Sequence, residues 1–241
     1  MSAGVLAAIQ SNYIPWKGYF DIIQNADVFV FHDDIQYTKQ DWRNRTRIKT
    51  AQGLVWLTIP TGLPRGRLIC DVELQDHTWQ MKHWERILQN YRDAEYFSVY
   101  RAFFEEVYTK REWTNLSDLN QFLTKTIATE FLGIRTEFRD SREFDLQGEK
   151  QERLIDLVKK SGCHTYISGP AGKDYIEPVR FEEIEVDLVW KAYSAYPEYP
   201  QFFPPFEHRT SIIDLLFHTG PEAPGHIEIG SAEKGSASPP S

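Results

Sequence analysis

His32-Asp33-Asp34 places an imidazole and two carboxylates directly after the apolar run Val28-Phe-Val-Phe31. A carboxylate beside an imidazole can orient it as a general base, so His32 with Asp33 or Asp34 forms the candidate catalytic group. Two adjacent carboxylates can also hold Mg²⁺; that use is considered and not favoured. The alternative without chemistry makes Asp34 a turn cap and leaves Asp33 solvated. Neighbouring residues of an extended chain face opposite ways, so sequence does not say which carboxylate meets the imidazole.

Upstream, Gln10-Ser-Asn-Tyr-Ile-Pro-Trp-Lys-Gly18 links the apolar run Val5 to Ile9 to residues at helical spacing. The free amides and partial positive charge of a helix N-terminus suit an anion. Gly18 would let a ligand approach the backbone closely. Asn12 is assigned to orient substrate by hydrogen bonds, and Tyr13, Trp16 and Tyr37 to stack on a base or sugar. The bland alternative is a tight turn packed by Tyr13, Pro15 and Trp16. Neither Gly-x-Gly-x-x-Gly nor a Walker A pattern occurs, which excludes the two most specific phosphate loops.

Further on, Arg43, Arg45, Arg47 and Lys49 alternate with Asn44, Thr46 and Ile48. On a strand this puts all four cations on one face. Guanidinium groups grip carboxylate or phosphate bidentately, so Arg45, with Arg43 or Arg47, is the chosen anion ligand, and Asn44 is assigned with Asn12 to orient the substrate by hydrogen bonds. Lys49 is assigned to a solvated hairpin edge, where basic side chains oppose aggregation. Ser168-Gly169-Pro-Ala-Gly172-Lys173 is a glycine-bearing loop after a strand, able to close on a ligand with charge from Lys173, or simply to connect. His83, beside Trp84, reads as structural. No histidine pair has metal-ligand spacing, and no Gly-x-Ser-x-Gly elbow is present.

Several elements must position these groups. Val5–Ile9, a helix and Val28–Phe31 form an N-terminal βαβ unit, whose strands are expected to be parallel and adjacent. Ligands of such sheets bind beyond the carboxyl ends of the strands, here Gln10 to Gly18 and His32 to Tyr37. The alternation through Leu54 to Ile59, with Gly53 at the turn, predicts an inserted β-hairpin. Apolar stripes at Trp84, Ile87, Leu88 and Tyr91 and from Leu116 to Phe131 predict a helical middle region, closed by Gly133. A helix over 151–160, strands at 165–167 and 185–190, and a short helix at 211–217 follow. The expected class is α/β, with one domain over 1–220 and a disordered tail over 221–241, which has too few apolar groups to offset the entropy of ordering.

A net charge of −8 argues against a broad nucleic-acid surface and leaves room for a small anionic or nucleotide-linked substrate. No apolar run reaches the ~18 residues of a membrane span, and no export signal precedes the fold. Cys70 and Cys163 are therefore expected as reduced thiols in a cytoplasmic protein, with Cys163 packed in the core. Composition leaves any cofactor and the oligomeric state open.

The pattern Gln10-x-Asn-Tyr-x-Pro-x-x-Gly-Tyr-Phe20 resembles the opening signature of WbqC-like proteins. The resemblance continues through Asp33-Asp34-x-Gln36-Tyr37, Trp42-x-Asn44-Arg45, Trp56-Leu-Thr-Ile-Pro60, Lys82-His83 and Glu152-Arg-Leu154. Tyr166-x-Ser-Gly-x-x-Gly172, Tyr199-x-Gln201 and Ser211 to Phe217 complete it, so it spans roughly residues 5 to 220. His218, where Asn is usual, and Phe206-Glu-His208 depart from the pattern. The resemblance implies an accessory enzyme of O-antigen (lipopolysaccharide) or other surface-polysaccharide biosynthesis. The implied activity is a transferase moving an acyl or aminoacyl group onto a nucleotide-linked amino sugar. It also implies that Gln10 and Gln36 belong to the substrate site. The alternative is a non-catalytic carbohydrate- or nucleotide-binding accessory protein of the same pathway. The two differ at His32-Asp33-Asp34, because a binding module needs no acid–base group.

Overall fold

Alternation inside two short apolar runs organises the molecule. In β1 (Val5–Ile9) and β2 (Val28–Phe31) successive side chains point to opposite faces of a sheet. Ala7, Phe29 and Phe31 enter one hydrophobic cluster, while Leu6 and Val30 enter another. A strand buried on both faces reads as a continuous apolar run, which is what Val28-Phe-Val-Phe31 does. The computed structural model describes residues 4–63, 66–193, 196–227 and 232–234.

As the sequence predicts, β1 and β2 are adjacent and parallel, with Leu6 opposite Val28 and Ile9 opposite Phe31. They are joined through α1 (Lys17–Gln24). The sheet continues through β5 (Glu137–Asp140), β6 (Thr165–Ser168), β7 (Asp187–Lys191) and β8 (Ala232–Lys234), in the order β5-β2-β1-β6-β7-β8. The five strands up to β7 are parallel, and β8 runs antiparallel to β7. The chain builds outward on one side of β1 through β2 and β5, then crosses to the other side for β6 and β7. The carboxyl ends of β1 and β6 thus flank a topological switch point, where open α/β sheets bind ligands.

The expected hairpin is a separate antiparallel pair, β3 (Arg45–Thr50) and β4 (Gly53–Thr58), with Gly53 at φ +98°. The helical middle contains α2 (Thr78–Tyr91), α3 (Phe97–Thr109) and α4 (Leu116–Thr126). One π-helical turn, Ile127–Phe131, extends α4 before Gly133 at φ +65°. Trp84, Ile87, Phe104, Leu119 and Leu123 from these helices bury the Phe29 face of the sheet. On the other face, α5 (Lys150–Ser161) and the short α6 (Val179–Glu182) bring Leu154, Leu157, Val158 and Phe181 against Leu6, Val30 and Tyr166.

Every residue of α7 (Ile212–Thr219) is buried. Residues 221–227, expected as the start of a tail, instead belong to a 3₁₀ turn over Gly220–His226 and its end, because Ala223 and Ile227 find apolar cover and are fully buried. Residues 232–234 pair with β7; the rest of the expected tail lies outside the described residues.

Candidate functional site

The carboxyl ends of β1, β2 and β6 open into a cleft of about 490 Å³. Ile9 and Gln10 line it from β1, His32, Ile35 and Gln36 from β2, and Ser168 and Gly169 from β6. The far wall is the first turn of α5, with Lys150, Arg153 and Leu154. A helix between parallel strands runs antiparallel to them, so α5 presents its N-terminus at this edge. Its N-cap residue, Glu149, makes no side-chain cap, and Lys150 sits in the left-handed region at φ +50°. Free amides and Lys150, whose ammonium has no partner among the described residues, give this wall a positive edge.

His32 borders the cleft, and its Nε2 is buried without a hydrogen bond, 3.8 Å from Oδ1 of Asp34. Burial lowers its pKa below 6.5; the Asp34 carboxylate opposes that shift and the Arg153 guanidinium reinforces it. The ring is therefore neutral near physiological pH. With the proton on Nε2 it points toward Asp34, and Nδ1 keeps a free lone pair. Asp34 is fixed from two sides: Ser141 Oγ donates at 2.5 Å to Oδ1, and Arg153 closes an ion pair with Oδ2. Arg153 also donates at 2.7 Å to the Leu146 carbonyl. The carboxylate nearest the imidazole is thus itself held rigidly, at 3.8 Å from Nε2, beyond hydrogen-bond distance.

The companion carboxylate does something else. Asp33 is fully buried and accepts from the Ser11 amide at 2.8 Å, from Ser117 Oγ and from Gln121 Nε2 at 3.3 Å. Those donors stitch the β1 loop to α4, and Asp33 belongs to the scaffold beneath the cleft. With Asp33 turned inward and Asp34 held by Arg153 and Ser141, the two carboxylates do not converge on one cation. Among the described residues no group of three or more His, Cys, Asp or Glu could hold a metal ion.

Several residues singled out in the sequence are likewise part of the framework. Tyr13, expected to stack on a ligand, is fully buried, with its hydroxyl 2.8 Å from His83 Nδ1 and 2.6 Å from Tyr108. Tyr37 is buried against Thr61 Oγ1 at 2.8 Å. Asn44 is buried and donates at 2.9 Å to the Ile59 carbonyl, closing the base of the hairpin. At Gly18 the Trp16 side chain comes so close that a Cβ would lie 2.3 Å from the indole ring. Ile14 takes φ +36°, a strained value for a β-branched residue, held by donation from Thr46 and Ser211 to its carbonyl. Asn12 borders a small hollow with Trp16 and Trp42, and its Oδ1 is buried without a partner. Lys173 is not in the cleft wall; its ammonium lies 5.7 Å from the Trp190 ring centre.

The four cations separate. Arg43 precedes the strand and pairs with Asp41 at 2.7 Å and Gln10 Oε1 at 2.8 Å. Arg45 stacks on Trp56 with its guanidinium carbon 4.1 Å from the ring centre, and Arg47 lies 5.3 Å from both Trp42 and Trp56. Lys49, expected on a solvated edge, is buried, donating to Gln201 Oε1 at 2.6 Å and to the Pro205 carbonyl.

Residue-by-residue reading missed Lys150, Tyr175 and Tyr193 in the cleft wall, and met Arg153 only inside the resembling segment. The available signal was topological: a helix leading into a strand beside β1 must start at the carboxyl edge.

The sequence profile described as the WbqC-like protein family matches residues 10–226. The uncharacterized protein Rv1507c of Mycobacterium tuberculosis is 40% identical over 225 residues, covering 92% of this chain and 96% of that protein. No solved structure matches the chain. Among the described residues no helix is long and apolar enough to cross a membrane.

Proposed function

Taking as premise that the chain belongs to the WbqC-like protein family, we propose that it is a transferase of surface-polysaccharide (O-antigen type) biosynthesis, moving an acyl or aminoacyl group onto a nucleotide-linked amino sugar. The observation that carries this reading is the neutral His32 at the cleft, with Asp34 and Arg153 locked behind it. A neutral imidazole can take a proton; a histidine kept charged could not.

In this scheme the sugar amine attacks the carbonyl carbon of an activated acyl donor. Nδ1 of His32 takes the amine proton, a C–N bond forms, and the bond from the carbonyl carbon to the leaving group breaks. The leaving group departs with the electron pair and recovers the proton from His32. Imidazolium formed in mid-reaction is stabilised by Asp34, while Lys150 and the α5 amides hold an anionic part of the substrate. The substrates are small, neither nucleic acid nor membrane takes part, and the protein works in the cytoplasm, where its two free cysteines stay reduced.

One distance favours a second reading, a non-catalytic binding protein of the same pathway. At 3.8 Å the His32–Asp34 contact is longer than a hydrogen bond. The test is to incubate the protein with nucleotide-linked amino sugars and activated acyl donors, and to follow the mass of the sugar. A gain equal to one acyl group, absent with His32→Gln, supports the transferase. Ligand binding without any product supports the binding protein.

A further inference from the structure

A second cleft, of about 510 Å³, lies between the β1 loop, the hairpin and the approach to α7. Trp16, Trp42, Tyr193 and Tyr196 supply aromatic walls, and Arg47, His208 and Arg209 supply charge and polarity. Tyr193 lines both clefts, so the two adjoin.

The cations here are unspent. At the first cleft Arg153 is paired with the Asp34 carboxylate, and Lys150 is the cation left without a partner among the described residues. Arg45, Arg47 and Arg209 have no hydrogen-bond or ion-pair partner for their guanidinium groups among the described residues. Nε of Arg45 and of Arg47 is buried without a partner, as is Nδ1 of His208. Burial lowers the pKa of Arg47, the nearby Glu207 opposes that shift, and the like charges of Arg209 and Arg45 reinforce it. That carboxylate already accepts from the Arg209 backbone amide at 2.8 Å. Two arginines with idle donors in the cleft wall, Arg47 and Arg209, with Arg45 close behind them, in a protein of net charge −8, mark a place prepared for an anion. Trp42, which packs against Trp56 at 5.2 Å between ring centres, keeps 41% of its surface exposed beside them, aromatic surface on which a planar group can pack.

We infer that this second cleft binds a nucleoside diphosphate, with the base against the indole rings and the diphosphate on Arg47 and Arg209. The assignment deepens the transferase reading and depends on it only for what the diphosphate carries. The nucleotide occupies the second cleft, and its sugar passes Tyr193 to present the amine at His32.

The experiment is calorimetric titration of the full chain with UDP, GDP, CDP, ADP, dTDP and inorganic diphosphate, with no acyl donor present. At least one nucleoside diphosphate should bind, and more tightly than inorganic diphosphate. Arg47→Met and Arg209→Gln should each weaken it by roughly tenfold to a hundredfold, as expected for losing a charge-assisted hydrogen bond. Trp42→Ala should weaken it several-fold, whereas Arg86→Gln on the exposed side of α2 should change nothing. Arg209 is exposed and makes no side-chain bond, so its variant is expected to fold even if the Arg47 variant does not. Absence of binding by every nucleoside diphosphate at millimolar concentration would overturn the inference. So would binding that survives Arg209→Gln but is lost in Lys150→Gln, which would put the diphosphate in the first cleft. His32→Gln should bind the nucleoside diphosphate like the parent chain; a failure of the catalytic reading shows separately, as unchanged acyl-transfer turnover of that variant in an assay with donor, and leaves the titration result standing.

Discussion

Lowering the pH should act on this fold through His83 before any substrate is considered. His83 is 6% exposed, and its Nδ1 meets the Tyr13 hydroxyl at 2.8 Å beneath the Gln10–Gly18 turn. Burial lowers its pKa from 6.5 to about 4, only partly opposed by a hydrogen bond to the Thr58 backbone. In the unfolded chain the same ring titrates near 6.5. Between those values the unfolded state binds a proton that the folded state refuses, so stability falls as pH falls through the window. At about 1.36 kcal/mol per tenfold change in affinity, the loss approaches ~3 kcal/mol by about pH 4. His83→Gln keeps a donor and an acceptor on a side chain that does not titrate. Urea unfolding of both proteins at several pH values between about 7 and 4 isolates the histidine, because shared carboxylate effects cancel in the difference. The parent should lose ~3 kcal/mol more than the variant across that range. A difference that stays constant with pH would refute the account of His83 as a buried neutral ring.

Three further outcomes are expected. Lys17 is buried beside the rings of Tyr196, Tyr199 and Phe206, and burial lowers its pKa from 10.5 to about 8 against the pull of Asp214 and Glu198. The unfolded chain then holds a proton that the fold gives up between about 8 and 10.5, so the parent should gain stability relative to Lys17→Met as pH rises from 7.5 to 9.5; equal pH dependence in the two proteins counts against it. Gly18→Ala should cost ~1–3 kcal/mol in urea unfolding, because the new methyl must push the Trp16 ring aside, and an unshifted midpoint would mean that the ring is free to move. Asp34→Asn should lower the His32 pKa further, since it removes the charge that favours imidazolium; NMR titration of the His32 ring shows the direction, and an upward shift would contradict the assignment.

Much of the fold was legible because burial on both faces leaves a plain mark. Val28-Phe-Val-Phe31 reads as a buried strand from its length and β-branched and aromatic content, and the intervening helix suggested its parallel pairing with Val5–Ile9. The cleft at the strand ends followed from the same geometry. Side-chain direction was not legible. Asp33 and Asp34 are neighbours of one type, yet one is buried among Ser11, Ser117 and Gln121 while the other meets Arg153. Tyr13 looks like a stacking residue in a turn and is a core residue, because α2 and α3 bring His83 and Tyr108 to its hydroxyl from 70 and 95 residues away. Lys49 continues the alternation of Arg45 and Arg47, but the segment around 201–205 folds over it. Each of these outcomes is set by a long-range contact that local spacing does not encode.

The central claim is that His32 acts as a base in the cleft at the ends of β1, β2 and β6. The most direct measurement is turnover of acyl transfer to a nucleotide-linked amino sugar by His32→Gln, set beside calorimetric affinity for the same sugar nucleotide. The account predicts a fall in turnover of ~10²–10⁴, the usual contribution of general-base catalysis, with affinity kept within a few-fold. Turnover equal to that of the parent chain, at equal affinity, would contradict it.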